Sequence, residues 1–211
     1  MLGLMPPRRL PLLALLLALA AVTSGGSVAA RVRQAEATQV CVLVPRVESL
    51  DEGDAVGDVP TATPALLVVE PLQQVRIEAP GGRVLWSRTA AAGEALPRPL
   101  DWPLPPLRPG EQVVLRLQPL GAAADAYAHV RLRAASAARL AATAELIKRL
   151  LGTPQAWLAA VHTALTAGDV PLAWSLLYAP EAPASGPLLE LRRELLRRGC
   201  GEPQSRADAP A

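Results

Sequence analysis

The chain has 211 residues, enough for one domain or two small ones, with 21 basic and 19 acidic side chains. It holds two His, two Cys, four Trp, two Tyr and no Phe. That inventory argues against a multi-ligand metal site, an iron–sulfur site, or an aromatic platform for single-stranded nucleic acid. Arg8 and Arg9 lie in a segment expected to be removed, which leaves 19 basic against 19 acidic residues. A near-neutral mature chain gives no argument for nucleic-acid binding.

Met1–Arg9 carries two positive charges, Leu10–Val22 runs thirteen residues without a charge, and Val28-Ala29-Ala30 offers the small residues a signal peptidase reads. This is the tripartite pattern of a secretory signal. Residues 1–30 are expected to be a signal peptide cleaved after Ala30, with Ser27 as the second site. The alternative is an uncleaved single-span anchor at the N-terminus, but the apolar run is shorter than the about 20 residues that span a bilayer. The expected location is secreted or periplasmic. Cys41 and Cys200 are the only thiols, and a bridge between them would close a loop of 159 residues. Chain entropy assigns such a loop on the order of 5 kcal/mol in an oxidising compartment. The other reading is two unpaired thiols, one in a strand and one near the terminus. Their spacing is not that of a CxxC redox pair.

Residues 31–38 read as a flexible leader. Gln39–Val44 is β-branched and apolar and reads as a strand ended by Pro45. Glu48–Asp58, with five carboxylates and two glycines, reads as a long acidic loop. Ala65–Val69 is a short strand buried on both faces. Gln73–Glu78 alternates, Pro80-Gly81-Gly82 turns, and Val84–Arg88 returns, predicting a β-hairpin with Trp86 on the face of Val84. Leu96–Arg108 carries five prolines and reads as an extended crossing between two sheets. Gln112–Gln118 alternates Val113, Leu115 and Leu117 against polar partners. Tyr127–Arg133 places Val130 and Leu132 on one face and Tyr127, His129, Arg131 and Arg133 on the other. The period then changes. Leu140, Ala144, Ile147 and Leu151 mark one helix face. Gly152 stops that helix, and Thr153-Pro154 starts a second that runs to about Ala167. A third covers roughly Val170–Tyr178. A fourth runs from Ser185-Gly186-Pro187 to Arg198, with Leu188, Leu191 and Leu195 as its buried stripe. Residues 201–211 read as a disordered tail.

The predicted fold class is α+β. Residues 39–133 form a small antiparallel β-sandwich of six or seven strands, and residues 134–200 a helical C-terminal domain of about four helices. Leu107-x-Pro109-Gly110 before an alternating strand resembles the loop entering strand F of immunoglobulin- and fibronectin III-like domains, with Val113 and Val114 where that family commonly carries a Tyr. The segment 157–177 resembles one tetratricopeptide-like helical hairpin, through Trp157, Gly168 and Ala173. One such unit cannot bury its own apolar face and must pack on its neighbours. Taken in order, the Cys41-Val42-Leu43-Val44-Pro45 strand, the sandwich and the helical tail resemble exported bacterial proteins that carry a domain of unknown function. The resemblance implies no activity.

Catalytic patterns are absent from the sequence: there is no GxSxG and no Walker P-loop. A serine triad would need His129 or His162. His129 falls on an exposed strand face, and His162, between Leu158 and Leu165 at helical spacing, reads as partly buried and structural. The carboxylates of 48–58 do not follow calcium-loop spacing. No metal, cofactor or enzyme activity is expected. The Arg192, Arg193, Arg197 and Arg198 face of the last helix is offset by Glu190 and Glu194 and suits the helix macrodipole. Trp86, Trp157 and Trp174 read as core, whereas Trp102 is open. The surface expected to meet a ligand or partner comprises Trp102, Tyr127, His129, Arg131 and Arg133. The function expected is an exported, non-catalytic protein–protein interaction or accessory module of the envelope, with an envelope protein as partner. The alternative is a glycan-binding module using Trp102 and Tyr127, and a small hydrolase comes third.

Overall fold

The computed structural model describes residues 40–49 and 55–198. The signal segment, the leader, the carboxylates of Asp51, Glu52 and Asp54, Cys200 and the tail lie outside the described residues. The order is eight strands followed by four helices: β1 (Val42–Val44), β2 (Glu48–Ser49), β3 (Ala55–Val59), β4 (Leu67–Val68), β5 (Leu72–Glu78), β6 (Val84–Thr89), β7 (Gln112–Pro119), β8 (Ala128–Ala134), α1 (Ala137–Leu150), α2 (Pro154–Thr166), α3 (Val170–Leu177) and α4 (Gly186–Arg198). Mixed α+β content with the helices at the C-terminal end is thus established.

Six strands form one sheet in the order β2-β3-β8-β7-β5-β6, and β1 pairs with β4 in a second, two-stranded sheet. The large sheet is not purely antiparallel as expected, because β3 runs parallel to β8, with Ala55 opposite Val130 and Val59 opposite Ala134. The chain leaves the small sheet after Val44, crosses at residues 45–47, and enters the large sheet at its edge as β2, which pairs with β3. The acidic stretch 48–58 is therefore not one loop. It contains β2 and most of β3, in which Gly57 and Val59 are buried and Asp58 is exposed. Period-two burial there is written in residues that read as turn formers.

Gly57 is needed for space. A Cβ at this position would stand 2.8 Å from the Arg46 carbonyl oxygen and 2.9 Å from Val47 Cγ1. Those atoms belong to the crossing segment, so β3 seats against it only without a side chain. Gly57→Ala is expected to cost about 1–3 kcal/mol, read as a lowered urea midpoint with an unchanged m-value.

Alternation sorts the core. Val75, Ile77, Val113, Leu115, Leu117, Val130 and Leu132 are buried on one face of the large sheet, where Val42, Leu66, Val68, Leu96, Leu100 and Leu107 meet them. Leu66 and Leu100 also exchange backbone hydrogen bonds of 2.8 Å, which ties the proline-rich crossing to β4. A second cluster lies on the other side of the small sheet: Leu43, Val44, Ala65 and Leu67 pack with Trp157, Val161, Ala173, Leu176 and Leu188 of the helices. The register of β1 on β4 shifts between Val42 and Val44. This bulge lets both Leu43 and Val44 face the helices while Val42 faces the sheet.

Two hairpin and helix expectations need correction. Val84 and Trp86 do not share an environment: Val84 is 49% exposed, while Trp86 packs against the first core cluster. The register skips Leu85 between the Ile77–Trp86 and Glu78–Val84 pairs. In α1 the buried residues are Thr143 and Leu150, and Leu151 is 55% exposed as the C-cap. The helix ends one residue before the expected stripe does.

Helices α2 and α3 form an antiparallel hairpin. Trp157 and Ala173 are fully buried, and Gly168 makes the turn at φ 75°. Asp169 caps α3, accepting from the Leu172 N–H at 3.2 Å, and pairs with Arg139 of α1. Helix α4 is clamped to the end of α3: the Tyr178 hydroxyl donates to the Arg192 carbonyl at 3.2 Å, and Arg192 Nε donates to the Leu177 carbonyl at 2.8 Å. Burial pushes the Tyr178 hydroxyl up to about 12, with the nearby Arg192 guanidinium opposing part of the rise. The folded pKa lies above the ordinary unfolded value, so this contribution is complete below about pH 10 and is lost as pH rises toward 12. Wild type is expected to lose about 1.4 kcal/mol per pH unit in that window relative to Tyr178→Phe, measured by denaturant titrations at each pH.

Candidate partner surface

The outward face of the large sheet is built by the positions that alternate with the core. On β8 these are His129, Arg131 and Arg133, all exposed. Register sets their neighbours: Arg116 of β7 lies opposite His129, and Arg76 of β5 opposite Arg116. Asp58 of β3 lies opposite Arg133. Among the described side chains of β3, β5, β7 and β8, this face gathers four guanidinium groups and one imidazole around two carboxylates, Asp58 and Glu78.

These side chains are held in place rather than free to wave. Arg133 grips Asp58 with both nitrogens, Nε at 2.9 Å and Nη2 at 3.2 Å. This bonding, and the Coulomb attraction behind it, raises the Arg133 pKa above its ordinary value. Arg116 Nε donates to Glu78 Oε2 at 3.0 Å, and its Nη1 reaches the His129 ring. Glu78 is only 6% exposed, so Arg116 supplies the counter-charge that its burial demands. Arg76 stands over the Tyr127 ring, 4.9 Å from its centroid, and donates from Nε to Gln74 Oε1 at 3.0 Å. The Tyr127 hydroxyl donates to the same Gln74 oxygen. A stacked arginine and a tyrosine fixed at both ends form a rigid pair that loses little freedom on meeting a partner.

Four of the five expected surface residues, Tyr127, His129, Arg131 and Arg133, are thus on or beside one face, and Arg76 and Arg116 join them. The last two were legible as the polar positions of alternating strands, but their convergence with β8 depends on strand order. Trp102 does not belong there. It packs with Trp86 against Ile77 and Leu115 on the core side, and its Nε1 donates to the Pro105 carbonyl at 3.2 Å. Tyr127 sits with Gln74 and Arg76, which alternate with Val75 and Ile77, so Trp102 and Tyr127 occupy opposite faces of the sheet and form no common stacking platform.

The remaining candidates are dispersed. His162 is exposed on α2 rather than partly buried as expected, because α2 turns Trp157, Val161 and Ala164 inward and leaves His162 and Leu165 outside, while Leu158 still packs against the helical cluster. Trp174 is partly buried in the helical cluster, with Arg46 stacked 5.2 Å above its ring. On α4, Arg197 and Arg198 both pair with Glu194, and Arg192 is committed to Leu177. Cys41 borders the helical cluster together with Leu195 of α4, and its N–H donates to Glu70 Oε2 at 2.8 Å. Sequence reasoning passed over one further feature, a cavity bordered by Thr61, Thr143 and Ser175, because hydroxyl residues in a turn and two helices carry no pattern. Comparison with protein-family models, with curated proteins and with solved structures found no match to this chain.

Proposed function

We propose that this chain is an exported, non-catalytic accessory protein of the bacterial envelope that binds an acidic protein partner through the outer face of its large sheet. The observation that carries the reading is the held cluster of Arg76, Arg116, Arg131 and Arg133 with Tyr127. Arginine and tyrosine are among the residues that most often anchor protein interfaces, and an excess of cations among the described side chains of a pre-ordered face selects a partner of opposite charge. No helix among the described residues is long and apolar enough to cross a membrane. The secretory signal, the location in the periplasm or outside the cell, and the kinship with exported domain-of-unknown-function proteins belong to the same proposal and rest on the sequence.

The β region is proposed to be an immunoglobulin-type sandwich. The large sheet would be one layer, and β1, β4 and the strand-like segment at Leu100 the other. Support comes from the Leu66–Leu100 bridge, which brings the crossing between β6 and β7 back beside β4 as a Greek-key connection requires. The bridge between Cys41 and Cys200 is also proposed: Cys200 follows α4 by two residues, and Cys41 shares a cluster with that helix.

The test is charge reversal. Mature wild-type chain immobilised on resin is expected to retain one stoichiometric acidic protein from envelope extract, released by raised salt. Arg131→Glu/Arg133→Glu should lose at least about tenfold in affinity for that protein by calorimetry, while the chain stays folded by circular dichroism. Undiminished retention by the variant would overturn the assignment of the surface.

A further inference from the structure

Three arginines meet at one groove. Leu67 of β4 with Val69 beyond it, Arg98 and Pro99 of the proline-rich crossing, Tyr178 and one side of α4 line a space of about 530 Å³. Helix α4 contributes Leu189, Arg192, Arg193 and Leu196, the i, i+3, i+4 and i+7 positions of a single face. Leu189 is 39% and Leu196 40% exposed, although the neighbouring stripe of Leu188, Leu191 and Leu195 packs into the helical cluster. Each guanidinium is fixed through one backbone carbonyl: Arg98 Nη1 donates to Val69, Arg192 Nε to Leu177 at 2.8 Å, and Arg193 Nε to Leu189 at 3.4 Å. None of the three pairs with a carboxylate among the described residues. Arg192 also stacks on the Tyr178 ring, 5.6 Å from its centroid. Burial lowers its pKa from the ordinary value, with Tyr178 opposing part of the fall. It is a partly buried cation without a counter-charge, which folded chains ordinarily avoid.

The lining sets the chemistry of a ligand. Among the described residues it holds three positive charges and no negative one, beside apolar side chains open to solvent. A guanidinium carries five N–H donors in a fork that matches a carboxylate, and each of these three spends one donor on the protein. We propose that the groove binds a single fatty-acid molecule, with its carboxylate among Arg98, Arg192 and Arg193 and its alkyl chain along Leu189, Leu196 and Val69. A small hydrophilic anion would leave the two leucines in water. A peptide would lay backbone N–H and C=O groups on an apolar wall that leaves them unpaired. The volume falls within the about 300–1,000 Å³ of small-molecule sites, and the α4 face runs about 10 Å from Leu189 to Leu196, room for one extended chain. The groove shares no residue with the proposed partner surface and does not rest on it.

The experiment titrates the folded chain, labelled at Leu methyl groups, with decanoate, butanoate and decyltrimethylammonium at neutral pH, each below its micellar concentration. Decanoate is expected to shift the Leu189 and Leu196 methyl signals saturably. Butanoate, which has the head but little chain, should bind at least about thirtyfold more weakly. The cation of equal chain length should bind at least about tenfold more weakly. Arg98→Gln/Arg193→Gln should weaken decanoate about tenfold while the chain stays folded by circular dichroism. Leu189→Glu/Leu196→Glu should abolish the shifts. Equal binding of decanoate and decyltrimethylammonium, or affinity unaltered by Arg98→Gln/Arg193→Gln, would overturn the proposal. So would decanoate shifts that never saturate. The α4 face would then belong to a membrane surface if the chain sediments with phosphatidylglycerol vesicles, and to the chain's own tail if Glu202→Gln/Asp208→Asn moves the same signals.

Discussion

Replacing Trp157 with alanine is expected to lower the unfolding free energy by about 3–5 kcal/mol. The side chain is fully buried and lies at the centre of the helical cluster, against residues of β1, β4, α3 and α4. Its Nε1 donates to the Leu176 carbonyl at 2.9 Å, in the last turn of α3. Truncation therefore removes packing for four elements and a buried hydrogen bond, leaving the Leu176 carbonyl with the Ala179 N–H at 3.3 Å. Trp157→Phe separates the two parts: it keeps most of the ring volume and should cost about 1–3 kcal/mol for the lost hydrogen bond and the residual void. Urea titrations followed by far-ultraviolet circular dichroism give both values. Equal stability of wild type and Trp157→Ala would contradict the packing described here.

Cys41→Ser is expected to cost about 2–5 kcal/mol in the oxidised protein. The cost follows from the 159-residue loop that the proposed bridge to Cys200 closes. It restrains the unfolded chain at nearly its full mature length. A reductant should lower the midpoint of wild type to that of the variant and leave the variant where it was. Peptide mapping without reduction should yield one bridged species joining the peptides of Cys41 and Cys200. Coincident midpoints of oxidised wild type and variant would exclude the bridge. Helix α4 would then be held by non-covalent contacts: Leu188, Leu191 and Leu195 in the helical cluster and the Tyr178–Arg192 clamp.

Strong periodicity is legible in this sequence. Gln73–Glu78, Gln112–Gln118 and Tyr127–Arg133 are strands, and Val75, Ile77, Leu115, Val130 and Leu132 are their buried positions. Thr153-Pro154 opens α2 as the sequence indicates, with Pro154 in its first turn, although the Thr153 side chain makes no capping hydrogen bond. What failed to show was β3. Ala55-Val56-Gly57-Asp58-Val59 sits among carboxylates, and the close approach of Arg46 that makes Gly57 a strand residue is a tertiary fact. The parallel pairing with β8 is equally non-local. Alternation places Trp86 and Val84 on one face, and the bulge that separates them leaves no mark in the sequence. Of the partner surface, the β8 strip was legible from its period, and the contribution of Arg76 and Arg116 was hidden in the strand order. The cavity was invisible because its lining residues, from the turn after β3 and from α1 and α3, come together only in the folded chain.

The two-stranded sheet also constrains how such a chain can change over generations. Val42 and Leu43 are adjacent in sequence yet serve different clusters, as do Leu66 and Leu67. One residue inserted or deleted in β1 or β4 would exchange those duties, turning small-sheet side chains from the helices to the large sheet and back. Length variation in these strands is therefore vetoed from two sides at once. The strands cannot be exchanged for those of another sandwich without refitting the helices. The β region and its helical tail must be inherited as one piece, and variation in length is left to the turns at 79–83 and 120–126, which touch neither cluster.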